Sequence, residues 1–171
     1  MDGYLLDTCV VSALLDGQHK NYQNVRLSDE AIEIGSPRYV SIITIAELTF
    51  GFALHEASTG QPHPRASAIL ERAQEFGIRE ISKHTAAEYA ELRKNLAVAH
   101  LPTLIRAQRP RWVDQWVDRV TQETLQIDEN DLWICAQARE WNLTLFTTDE
   151  KMVTRICQAD SDIKFRFVRS L

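Results

Sequence analysis

Glycine and proline are scarce, six and five of 171 residues, too few for a collagenous or low-complexity chain. With 44% apolar residues, general disorder is excluded as well. No apolar run approaches the roughly 18 residues that a membrane span needs. The opening Met-Asp-Gly-Tyr-Leu-Leu-Asp-Thr lacks the basic region and cleavage site of a signal peptide. A soluble, cytoplasmic protein is expected. The three cysteines, Cys9, Cys135 and Cys157, are odd in number and far apart. That pattern argues against a disulfide framework or a zinc site and for small buried hydrophobes. No internal repeat and no linker rich in Gly, Ser or Pro divides the chain. The expectation is one domain over residues 1–171, long enough to bury a sizeable core.

Positive charge is not in surplus either. Lys and Arg total 19 against 24 Asp and Glu, a net charge of −5. A general nucleic-acid coat would carry spare cations to neutralise phosphates. A nuclease stays open, because metal-assisted attack on a phosphodiester needs clustered carboxylates. The cations are unevenly placed: between Ala99 and Val113 the only charged side chains are Arg106, Arg109 and Arg111, and Lys151 to Leu171 holds five basic residues against two acidic ones. Either stretch reads equally well as a phosphate contact or as a solvated face.

Short apolar runs alternate with helical patterns. Strands are expected at Tyr4–Leu6, Tyr39–Ile42, Ile78–Ile81, Leu143–Phe146 and Phe165–Val168. Helices are expected from Asp7 through Leu15, over Ser28–Ile34, from near Thr44, and over Pro64–Phe76, Ala86–Ala99, Arg111–Leu125, Asp131–Trp141 and Glu150–Cys157. The alternation predicts an α/β fold: a mostly parallel five-stranded sheet with helices on both faces and a helical excursion between strands three and four. In that excursion Trp112, Val113, Trp116, Val117 and Val120 make one helical face, suited either to a core or to a contact with another chain.

Ligands of such sheets bind where the strands end, and the acids that fall there single themselves out. Asp7 ends the first strand, and Glu47 lies in the first turn after the second. Asp131 opens the helix before the fourth strand, facing inward with Ile134, Cys135 and Ala138. Asp149 closes the loop after the fourth strand. Each has a local explanation in helix capping, Thr44 and Glu47 having the spacing of a capping box and Thr147 and Glu150 likewise. Together they describe a crowd of like charges that needs a cation. With no His or Cys in the pattern, Mg²⁺ or Mn²⁺ fits better than Zn²⁺. Gly51, one turn beyond Glu47, leaves room for a ligand.

The runs Leu5–Leu14 and Ser41–Gly51, with Asp131–Ala136 leading on to Thr147-Thr148-Asp149, resemble the PIN domain, and within it the VapC-type toxins. Cys9 and the length of Leu101–Gln126 depart from that pattern, as do Met152 and Val153 where an aromatic is usual. The resemblance maps the metal-binding acids onto Asp7, Glu47, Asp131 and Asp149, and a site threonine onto Thr147. It implies a Mg²⁺-dependent endoribonuclease acting on RNA, a homodimer, and a VapB-like antitoxin partner. An RNA-processing nuclease unconnected with toxicity and a non-catalytic receiver-like module are the alternatives. An aspartyl phosphatase fits poorly, because position 9 is Cys where that chemistry needs a second Asp.

Overall fold

The computed structural model describes residues 3–169, so the parts of the opening and of the basic tail that fall on Met1, Asp2, Ser170 and Leu171 lie outside the described residues. The elements run β1 (Tyr4–Leu6), α1 (Thr8–Leu15), α2 (Tyr22–Glu30), β2 (Arg38–Ser41), α3 (Ile42–Thr59), α4 (Ala66–Glu75), β3 (Gly77–Arg79), α5 (Lys83–His100), α6 (Glu129–Glu140), β4 (Thr144–Thr147), α7 (Glu150–Ala159) and β5 (Lys164–Phe167). The five strands lie in the order β3-β2-β1-β4-β5, and every pairing is parallel. Among the described residues no helix is long and apolar enough to cross a membrane.

Successive strand residues face opposite sides of a sheet, and β1 uses both. Leu5 enters a core with Leu92 and Leu96 of α5, Leu132 of α6 and Ile156 of α7. Leu6 enters a second core with Val10 and Val11 of α1, Val25 of α2 and Ile69 of α4. Three layers result, with β1 buried on both faces at the centre. The chain first builds leftward from β1 to β2 and β3, then returns to place β4 on the other side of β1. The sheet therefore changes direction between β1 and β4, the place where α/β sheets open a crevice.

Two expected helices are corrected. The short one predicted over Ser28–Ile34 is α2, which begins earlier and ends at Glu30 before the positive φ of Gly35. Ser28 lies inside it, where Arg166 donates to its Oγ at 3.0 Å and to its carbonyl at 2.6 Å. The helix expected over Arg111–Leu125 does not form. That segment holds a 3-10 turn at Val113–Gln115 and an antiparallel bridge between Val117 and Thr124. Its reason is local: Asp118 Oδ1 accepts the backbone N–H groups of Val120 and Thr121 at 2.9 and 2.7 Å, and Gln122 turns the chain with φ 59°. An Asp that offers its own side chain to the backbone competes with a helix. The apolar face divides accordingly, Val113 and Trp116 being fully buried while Trp112, Val117 and Val120 are exposed.

Asp118 also ties this excursion down. Its Oδ2 lies 2.6 Å from Nδ1 of buried His100 at the end of α5 and 3.5 Å from Arg155 of α7. His100 Nε2 reaches the Arg155 carbonyl at 3.0 Å. The Thr121 N–H, followed by His100, holds the Asp118 carboxyl well below the usual carboxylate range. A depressed pKa contributes stability that is present above the unfolded value, near pH 4, and is lost as acid titrates the group in the folded state. Asp118→Ala is expected to melt lower than wild type at pH 7, with the gap narrowing below about pH 4. Melting curves at pH 7 and pH 3 check this; a gap that stays constant means the carboxylate charge contributes nothing.

Within the basic tail Arg155 and Arg166 are engaged by the fold and Lys151 donates to Gln126, while Lys151, Lys164 and Arg169 remain exposed.

Candidate active site

Asp7 sits at the directional change between β1 and β4. Leu6 pairs with Phe146 in the sheet, and the Asp7 N–H bonds the Phe146 carbonyl at 3.0 Å, which sets Asp7 beside Thr147. The carboxylate caps α1, Oδ1 accepting the Thr8 N–H at 2.7 Å. Oδ2 accepts the Thr147 hydroxyl at 2.6 Å and the Cys9 thiol at 3.1 Å. Burial is the main cause that pushes the Asp7 carboxyl up, with the Glu47 charge adding to it and these hydrogen bonds opposing it.

Glu47 comes from α3 but not as a capping residue. The cap is Ser41, whose Oγ accepts the Ile43 N–H at 2.9 Å, so Thr44 is already inside the helix and Glu47 stands in its second turn. Its Oε2 accepts the Thr8 hydroxyl and its Oε1 accepts Asn130 Nδ2 at 2.8 Å. Gly51 does not share the site: a side chain there would meet open space.

Asp131, half-buried, lines the pocket and caps its own helix as well. Its Oδ2 accepts the Asp128 N–H at 3.1 Å, while Asp128 Oδ1 accepts the Asp131 N–H at 2.8 Å, a reciprocal capping box at the start of α6. Burial first, then the charges of Asp128, Asp7 and Asp149, push its carboxyl up to about 8. Asp149 caps α7, accepting the Met152 N–H at 2.9 Å, and its own N–H donates to Thr147 Oγ1 at 3.0 Å.

All four acids line one pocket of about 410 Å³ together with Thr8, Cys9, Ser12 and His19. Among the described residues no three His, Cys, Asp or Glu side chains stand at ligating separation. Both oxygens of Asp7 and of Glu47, and one each of Asp131 and Asp149, accept from donors of the protein itself, and a cation would draw them from caps and hydroxyls. An adjoining opening of about 490 Å³ shares Cys9, His19 and Asp149 and adds Lys20 and Lys151.

Several residues here escaped the sequence reading. Cys9 is not an inert hydrophobe: burial and the Asp7 charge push its thiol up to about 12, so it stays protonated and donates to Asp7. Cys135 is buried as expected, whereas Cys157 is exposed. His19 and Asn130 enter from segments with no local signal. Asp128 did leave one, because Asp128-x-x-Asp131 has the spacing of a capping box.

Solved structures with the same fold include VapBC-1 from nontypeable Haemophilus influenzae, at 21% identity over 96% of each chain with a TM-score of 0.62. FitAcB from Neisseria gonorrhoeae matches at 22% identity over 95% of each chain with a TM-score of 0.59. VapBC-5 from Mycobacterium tuberculosis, a member of the VapBC family of toxin-antitoxin systems, matches at 21% over 99% of each chain with a TM-score of 0.57. No curated protein sequence matches the chain. The PIN domain family model matches residues 4–157, four of the five strands and the pocket with its acids, and the chain belongs to that family.

Proposed function

We propose that this PIN protein, one domain over residues 1–171, is a Mg²⁺- or Mn²⁺-dependent endoribonuclease and the toxin of a VapBC-type pair. The observation that carries the reading is the meeting of Asp7, Glu47, Asp131 and Asp149 in one pocket where the sheet changes direction. The donor set fits a hard divalent cation, being carboxylate oxygen throughout, with the one nearby thiol held protonated. Burial first, and neighbouring carboxylates after it, raise Asp7 and Asp131, a cost to their charged forms that a bound cation would offset.

Asp7 and Asp131 would hold the principal ion in this reading. Glu47 would join them or orient a water, and Asp149 would complete a second, weaker position. Bound there, the ion supplies an acidified water and neutralises charge on the phosphate oxygens. Thr147 and Thr8 act as positioning residues, since each hydroxyl donates to an acid, Asp7 and Glu47 respectively. Cys9 fixes the same Asp7 oxygen that Thr147 does. Lys20 and Lys151 in the adjoining opening suit a substrate phosphate. The VapBC complexes among the structural neighbours support a VapB-like antitoxin as partner; a homodimer in the cytoplasm is the working form that the sequence resemblance implies.

Cleavage of a mixed-sequence RNA by purified protein in Mg²⁺, abolished by EDTA, is the direct test. Binding to the native state alone stabilises it by mass action, roughly 2.7 kcal/mol at 100 times the dissociation constant. For a chain of this size that raises the melting midpoint by about 5–11 °C. A midpoint indifferent to millimolar Mg²⁺ and Mn²⁺, with no EDTA-sensitive cleavage, overturns the reading.

A further inference from the structure

The excursion that departs from the compact PIN pattern builds a second cleft. Arg106, Arg109 and Arg111 face Arg93 and Lys94 of α5 across a space of about 730 Å³, and no carboxylate lines it. Lys94 pairs with Glu91 and Arg93 lies 3.3 Å from Glu129, whereas no ion pair engages Arg106, Arg109 or Arg111 among the described residues. Three guanidinium groups gathered without counter-charge, in a chain of net charge −5, favour an anion in that place.

Aromatic planes hold several of these cations. Arg111 lies over the Trp112 ring at 4.6 Å, Arg109 is 5.7 Å from the Trp116 ring, and Arg93 is 5.7 Å from it on its own account. A stacked guanidinium keeps its donor fork free for the paired oxygens of a phosphate. Trp112 is 44% exposed and lines the cleft with Tyr89, giving a surface on which a base can stack.

The cleft is coupled to the acid pocket through α6. Glu129 accepts the Tyr89 hydroxyl and the Val113 N–H, and it stands two residues before Asp131. Tyr89 stacks on Trp133 of the same helix at 4.0 Å, with the rings 9° apart. The wall of the cleft and the acid pocket therefore share the first turns of one helix. We propose that this cleft seats the sugar-phosphate backbone of single-stranded RNA on its way to the acid pocket, with Trp112 as a stacking platform. The identity of the strand rests on the ribonuclease reading above. An acidic peptide would satisfy the charges but leave the aromatic faces idle.

The test uses a 20-nucleotide fluorescein-labelled oligoribonucleotide and full-length protein, with binding followed by anisotropy in EDTA so that nothing is cut. Arg106→Gln/Arg109→Gln/Arg111→Gln, checked for an unchanged melting curve, is expected to weaken binding at least about tenfold and to flatten the slope of log K against log salt by about 2. The matching triple Arg→Lys variant is expected to restore the slope, because the charges return. Trp112→Ala is expected to weaken binding about 5- to 100-fold with the slope intact. In Mg²⁺ the triple Gln variant is expected to raise KM for the 20-mer more than it lowers kcat. Wild-type affinity or slope retained by the triple Gln variant overturns the proposal, and so does a poly-glutamate peptide that binds the cleft when the RNA does not. Cleavage that the triple variant leaves unaltered in KM sinks the cleft alone. Binding that responds to the triple variant without any cleavage sinks the ribonuclease reading and leaves the cleft standing.

Discussion

Asp7→Asn and Asp131→Asn are each expected to lower RNA cleavage by more than about 100-fold, the upper end of what an outer partner of a metal ligand is worth, while the proteins stay folded. Asparagine keeps the shape and one oxygen for the cap on Thr8 or Asp128 and removes the charge; at Asp7 its amide nitrogen also replaces the oxygen that accepts from Thr147 and Cys9. A purely capping role thus predicts near-normal activity. The stability change separates the two roles further. Asp131 has its carboxyl raised to about 8 in the folded protein, so in metal-free buffer its protonated form favours folding below about pH 4, and that contribution is lost as pH rises through 8. Asp131→Asn cannot lose it. Its midpoint in EDTA is expected to overtake that of wild type between pH 4 and 8, and its response to Mg²⁺ to shrink. Variants that cut RNA at the wild-type rate, with contaminating nuclease excluded, would falsify the assignment.

Trp116→Ala carries the largest expected loss of stability, about 3–5 kcal/mol. The ring is completely buried among Leu92, Leu96 and Leu125, and its Nε1 donates to the Pro110 carbonyl at 3.0 Å. Truncation opens a cavity and strands that carbonyl. Trp112→Ala, on an exposed ring, is expected to stay within about 0.5 kcal/mol of wild type. Urea denaturation of both variants measures the contrast. Should Trp116→Ala fail to fold at all, Trp116→Phe provides the reading, with a smaller loss expected. Equal midpoints for the alanine variants would mean that Trp116 does not anchor the excursion.

This contrast marks where the sequence stopped being legible. Trp112, Val113, Trp116, Val117 and Val120 have helical spacing, yet Asp118 takes the backbone N–H groups ahead of it and His100 and Arg155 take Asp118. The two latter partners come from 18 residues back and 37 residues ahead, beyond any local pattern. Capping was misread in the same way. The Thr44–Glu47 pair had the spacing of a capping box, but the cap is Ser41, and Asp131 proved to be a capping residue and a pocket acid at once.

Strands with continuous apolar runs, helices between them and acids at the strand ends are local properties, set by side-chain period and by the residues that start and stop each element. The sequence by itself therefore determined the three-layer α/β order, the five strands to within about two residues, and the four acids at one edge. Which strands are neighbours was decided only in three dimensions, and with it the meeting of Asp7 with Thr147 across 140 positions. The tertiary structure alone also set the run of Arg106, Arg109 and Arg111 opposite Arg93 and Lys94 of α5 across one cleft. Those outcomes depend on burial and on charge brought close through space, and separation along the chain carries no information about either.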